Sequence, residues 1–273
     1  MSAVPPPAMV PFADVFQLVF MASVRELVRR RRLVFIGLAG LIPLFFTWIW
    51  RMFGMDFIDA ESMLTNLVSS LYIGVLVYLV GIAFGVPTVH DEVEGRTLTY
   101  LLTRPVSRIA VYSGRLAAVQ LLAGVLLALS LVACFMFAVL GNDGAMSLTL
   151  VKTYVNHVWV VLLATILMVG LFAIIGTLFR RPLVWSFLYA FAWEGIVAKV
   201  PGRLQTWTLD FHLRNLLLRD EDVQASILEG LKHLLVREVE VSAWVSLAVL
   251  LLALVGFSVL GGWIFARREY VIQ

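Results

Sequence analysis

Apolar residues in this chain come in long runs separated by polar clusters. Six runs stand out: Leu33–Trp50, Asn66–Val89, Leu116–Leu140, His157–Phe179, Leu183–Val200 and Ala243–Phe265. Each is close to the ~20 apolar residues that a helix needs to cross a hydrocarbon core. The pattern predicts an all-α integral membrane protein with six transmembrane helices. The first run follows Arg29–Arg32 but continues through LIPLFFTWIW without a small-residue cleavage site, so it reads as a retained helix and not a signal peptide. The fifth is the most interrupted, by Glu194 and Lys199. Ahead of the first run, after a proline-rich lead, Phe12, Val15, Phe16, Val19 and Phe20 recur three and four apart. That spacing predicts an interfacial helix on the inner membrane surface, ending in a basic patch suited to anionic headgroups. Between Pro201 and Val241, apolar positions at Leu213, Leu216, Leu217 and then Ile227, Leu231, Leu234 and Leu235 describe amphipathic helices and not a span.

The polar stretch between the second and third runs, HDEVEGRTLTYLLTRPVSR from His90 to Arg108, is longer than the two to eight residues that a plain helix connection needs. On a helix, Val93, Leu98, Tyr100, Leu101 and Leu102 fall on one arc, and Glu92, Gly95, Arg96, Thr99 and Thr103 on the other. Glu94 breaks the pattern by landing among the apolar positions, where a carboxylate needs a donor. Pro105 ends the helix and pushes Arg104 toward an extended conformation. The expected shape is a short amphipathic helix, a sharp turn and then the third span. It suits docking to a partner, and equally an interfacial loop that anchors the bundle.

Composition agrees with a lipid-solvated chain: of 273 residues, 61% are hydrophobic and 14% are charged, against about a quarter charged in soluble domains. The net charge of +3 is distributed unevenly. With the N-terminus inside, the inner segments hold Arg25, Arg29 to Arg32, Arg96, Arg104, Arg108, Arg115, Arg180, Arg181, Arg267 and Arg268. Those thirteen face two, Arg51 and Lys152, in the short outer loops; six more between Lys199 and Arg237 complete the 21 Lys and Arg residues. The positive-inside rule then puts both termini in the cytoplasm. It also accounts for the basic balance without a nucleic-acid partner. Several tryptophans, among them Trp48, Trp50, Trp159, Trp207, Trp244 and Trp263, fall near span ends, where aromatic belts form.

Candidate chemistry is sparse. Cys134 is the single cysteine and the four histidines are scattered, so there is no disulfide framework and no metal site is expected. His90, Asp91 and Glu92 are adjacent, and a helix would aim them in different directions. No phosphate-cradling GxxxxGK[ST], HExxH or GxSxG occurs. No catalytic residue and no cofactor are expected in this chain, and an intramembrane enzyme is the weaker reading. Glu194 is the one candidate intramembrane polar site, since acids within spans mark functional sites. The plainer reading places it near the outer interface with Lys199 as partner. Ser70, Gly74, Gly81 and Gly85 are spaced four, seven and four apart on the second run. Small residues so spaced let helices approach closely, as an internal packing seam or as a contact with a second subunit around the pathway.

EVEGRTLTYLLTRPVSR also resembles the cytoplasmic loop of ABC-2-type transporter permeases, the membrane subunits of ABC exporters such as the copper-processing, sodium-export and gliding-motility permeases. Glu92, Glu94, Thr97, Leu101, Leu102, Pro105, Ser107 and Arg108 match its pattern, with Arg115 where lysine is usual and Arg96 at a usual glycine position. RELVRRRR at 25–32 resembles the family's N-terminal interfacial segment. The resemblance implies a single transmembrane domain over 1–273. Its parts are a cytoplasmic lead and interfacial helix (1–32), spans one and two (33–89), a cytoplasmic coupling loop (90–115), spans three to five (116–200), an extracytoplasmic segment with re-entrant or interfacial helices (201–242), and span six with a cytoplasmic tail (243–273). It further implies that Glu92, Glu94, Thr97, Arg104, Pro105, Ser107 and Arg108 couple to a separate ATPase subunit in two copies, which carries ATP and Mg. A second, identical or related permease subunit completes the pathway in a bacterial or archaeal-type cytoplasmic membrane. A membrane scaffold or mechanotransmission subunit moved by an ATPase remains the alternative from another class.

Overall fold

The computed structural model describes residues 11–29, 31–53, 60–88, 106–139, 148–199, 203–217 and 241–267. Among them every regular element is helical. Helix α1 (Phe12–Arg29) precedes α2 (Arg31–Met52). Helix α3 (Ala60–Gly85) follows, then α4 (Arg108–Val139) and α5 (Leu148–Leu178). The next helix, α6 (182–199), changes pitch along its length: α-helical over Pro182–Leu188, π-helical over Tyr189–Ile196 and 3-10 over Val197–Lys199. A 3-10 turn at Arg203–Trp207 leads to the short α7 (Leu209–Asn215), and α8 (Ala243–Arg267) closes the described chain.

Four described helices are long and apolar enough to cross a membrane: α3, α4, α5 and α8. They correspond to the second, third, fourth and sixth apolar runs. Two further runs fall short by this measure. The apolar part of α2 is Gly37–Met52, and Pro43 sits inside that helix. In α6, the fifth run, the helix is wound in three ways. The α4 helix starts eight residues before the run predicted at Leu116, because Arg108, Ser113 and Arg115 continue the helix below the apolar stretch. The expected coupling helix lies outside the described residues.

The core is built around α5. Leu167, Met168, Val169, Phe172 and Ala173 are fully or almost fully buried, as are Val68, Tyr72, Ile73, Val77 and Val80 of α3 and Leu127 and Leu131 of α4. Glycine makes the closest crossing possible. A Cβ on Gly85 would stand 2.7 Å from the Val169 carbonyl oxygen, one on Gly81 2.8 Å from the Phe172 ring, and one on Gly176 2.5 Å from the Val86 carbonyl oxygen. Only glycine permits α3 and α5 to come this near. By contrast, α8 lies at the edge, with Leu252, Val255 and Val259 exposed, as expected of a helix solvated by lipid.

The N-terminal helix is docked against the bundle. Val15 packs with Ala110 and Val111, and a Cβ on Gly114 would meet the Phe16 carbonyl oxygen at 2.8 Å. Arg115 and Glu26 approach to 3.9 Å. Leu18, Met21 and Val28 remain exposed on α1.

Candidate functional site: the base of α4 and a buried polar cluster

Of the seven residues expected to couple to an ATPase, Glu92, Glu94, Thr97, Arg104 and Pro105 lie outside the described residues. Ser107 and Arg108 stand at the first turn of α4. The Ser107 hydroxyl accepts a bond from the Ala110 amide at 3.4 Å, and its carbonyl accepts from the Val111 amide at 3.2 Å. Ser107 is thus the N-cap that starts the helix. Arg108 donates through Nη1 to the Ala266 carbonyl at 3.2 Å. That carbonyl belongs to the last turn of α8, where unsatisfied carbonyls and the helix dipole favour a cation. The Arg108 guanidinium thus ties the first turn of α4 to the last turn of α8. Helix α4, which begins at Ser107 and Arg108, touches α1, α2, α3, α5 and α8. A displacement at its base would reach five other elements through one helix.

The second site is a polar cluster around α7. Glu194 is 3% exposed and twelve residues beyond Pro182, at most about 18 Å along α6. Its Oε1 accepts from the Tyr189 hydroxyl at 2.6 Å and from the Leu209 amide at 3.1 Å, and its Oε2 accepts from the Asp210 amide at 3.0 Å. Tyr189 and Glu194 are five apart. On an α-helix that spacing separates side chains by about 140°; the π-helical winding of Tyr189–Ile196 brings i and i+5 to one face. The side chain of Lys199, expected as the partner, lies outside those described. Glu194 caps the first amides of α7, and the Thr208 hydroxyl adds a third bond by accepting from the Phe211 amide at 3.4 Å.

The rest of α7 is fastened in the same way. Asp210 pairs with Arg214 at 2.6 Å. His212 is hydrogen-bonded to the Ser246 hydroxyl of α8 and the Thr206 carbonyl, both at 3.0 Å. Asn215 donates to Ser246 at 2.8 Å and to the Val241 carbonyl at 2.7 Å, and Asn156 of α5 donates to the Leu216 carbonyl at 3.1 Å. A buried backbone turn in a membrane protein must satisfy its polar groups from protein, and these side chains do so. Gly74 of α3 faces this cluster: a Cβ there would lie 3.5 Å from the Arg214 guanidinium. The stripe read from sequence is thereby split. Gly81 and Gly85 line the α5 crossing, Gly74 borders α7, and Ser70 is exposed. The π-helical stretch Val68–Leu76 shifts the register between the two halves. Sequence spacing showed Glu194 but not its partners. The Asp210–Arg214 pair, four apart on a helix, and Thr208 as an N-cap were the legible signals for α7.

Residues 28–193 match the family described as ABC-2 family transporter protein. No curated protein matches the chain. The match covers more than half of the 273 residues and runs from the end of α1, through the loop at 90–105, to the residue before Glu194. With this match and apolar helices long enough to cross a bilayer, the chain belongs to the ABC-2 transporter family, the membrane permeases of ABC transporters.

Proposed function

We propose that this permease works as one half of an ABC exporter: two such subunits, identical or related, enclose the pathway, and a separate ATPase with ATP and Mg drives it. The observation that carries the reading is the family match across residues 28–193, which encloses the Glu92, Glu94, Pro105, Ser107 and Arg108 pattern of the loop. In this reading α2 and α6 cross the membrane along with the four longer helices, giving six spans with both termini in the cytoplasm of a bacterial or archaeal-type cell. The loop at 90–105 is the coupling helix, and hydrolysis takes place in the partner, since this chain carries no phosphate-cradling motif. Ser107 and Arg108 transmit the loop's motion by fixing the base of α4 against α8.

The test is the detergent-solubilised complex carrying Glu94→Ala. A carboxylate on the apolar side of the coupling helix is offset by a donor on the ATPase, a charge-assisted contact of about 1.5–3 kcal/mol. The expected result is normal expression with weakened ATPase retention, by roughly tenfold or more, or with hydrolysis uncoupled from transport. The unmutated complex should have the mass of two membrane and two ATPase subunits. Wild-type retention and coupling in Glu94→Ala would remove Glu94 from the interface. A stable, hydrolysing complex with one membrane subunit would overturn the dimer.

A further inference from the structure

The turn between α5 and α6 opens onto a groove of about 430 Å³, within the size range of ligand sites. Its walls are apolar: Ile175 and Phe179 on one side, Trp185, Leu188, Trp193 and Val197 on the other. Tyr189 also borders it, but its hydroxyl is engaged with Glu194. The ring of Phe179 stacks on Trp185 with centroids 4.7 Å apart, which forms the end of the groove beside the turn. At that turn stand Arg180 and Arg181, both exposed; among the described residues neither forms an ion pair. From Trp185 to Val197 the groove wall runs twelve residues, at most about 18 Å. That is comparable to one leaflet of a hydrocarbon core ~30 Å thick.

We infer that this groove binds one acyl chain of an anionic phospholipid of the inner leaflet, with the phosphate held by Arg180 and Arg181. Three features favour this occupant over a second copy of the chain. The groove has a cationic end and apolar walls, the polarity of an anionic amphiphile and not of a helix. Its length matches one leaflet and not the whole bilayer. The cationic end lies on the side that the arginine distribution places in the cytoplasm, where the leaflet is anionic. The aromatic stack sits beside the arginines, at the depth where aromatic side chains meet headgroups.

The groove contains its own reporters, Trp185 and Trp193. The protein is reconstituted in phosphatidylcholine vesicles containing either brominated phosphatidylglycerol or brominated phosphatidylcholine at equal mole fraction, and tryptophan quenching is measured. Variants Trp185→Phe and Trp193→Phe identify the groove's share of the signal. The expected relative association constant is roughly thirtyfold higher for the anionic lipid, as two arginines near the surface supply. Arg180→Gln with Arg181→Gln should bring the two lipids to equality. Ala192→Phe, which fills the groove and keeps the arginines, should reduce quenching by both lipids and carries the test if the arginine variant fails to insert. Equal quenching by the two lipids in the unmutated protein, or a preference that survives loss of the arginines, overturns the assignment. Absence of groove quenching by either lipid would show the groove closed by a second subunit, and also overturns it.

Discussion

Glu194 is a carboxylate with three donors: a tyrosine hydroxyl and two backbone amides. Each bond contributes differently when removed. Tyr189→Phe deletes one hydroxyl and should cost about 1 kcal/mol. Glu194→Ala leaves the Leu209 and Asp210 amides without acceptors, at about 1–3 kcal/mol each if they stay buried. The thermal midpoint of the purified protein should therefore fall clearly further for Glu194→Ala than for Tyr189→Phe. Glu194→Gln should lie between, because its amide oxygen still accepts. Equal midpoints for Glu194→Ala and Tyr189→Phe would mean that water replaces the carboxylate and that α7 does not depend on it. The sequence marked Glu194 as an acid within an apolar run. It gave no sign of Tyr189, because a five-residue spacing carries no meaning until the helix is known to be π-wound.

At the scale of elements, glycine decides how closely helices meet. Gly176 faces the Val86 carbonyl so closely that a Cβ would stand 2.5 Å from it, whereas a Cβ on Gly256 of α8 would meet nothing within 4 Å. The two positions are both helical, so alanine improves the intrinsic propensity of each by about 0.5–1 kcal/mol. Gly176→Ala must also push α3 from α5, an overpacking cost of typically 1–3 kcal/mol. The expected result is a lower thermal midpoint for Gly176→Ala and an unchanged or higher one for Gly256→Ala. A Gly176→Ala protein as stable as its parent would show that the crossing relaxes without cost. Helix positions were legible from apolar runs because burial in lipid demands them. Helix ends were less so: α3 begins at Ala60 and not Asn66, α5 at Leu148 and not His157, since polar turns such as those carrying Glu61 and Thr153 continue the helix and bond each other at 2.6 Å.

At the scale of the whole molecule, the charge asymmetry of the sequence predicts the orientation. With both termini inside, Thr99→Cys should be closed to an impermeant thiol reagent in intact cells and Ala225→Cys open to it, in a background with Cys134→Ala. The reverse pattern would invert the topology. What the sequence by itself determined is the class of solvent, the helical class and the family. Long apolar runs admit lipid and little else, and the Glu, Pro, Ser and Arg spacing of the loop resembles the ABC-2 permeases to which the chain belongs. What only the tertiary structure decided is which polar groups answer one another. Arg108 reaches the end of α8, 158 positions along the chain, and Glu194 reaches the start of α7 across fifteen and sixteen. Hydrophobic periodicity is a property of neighbours along one helix. A buried charge finds its donor across space, where helix pitch and crossing distance place it, and neither is written in the spacing of any single segment.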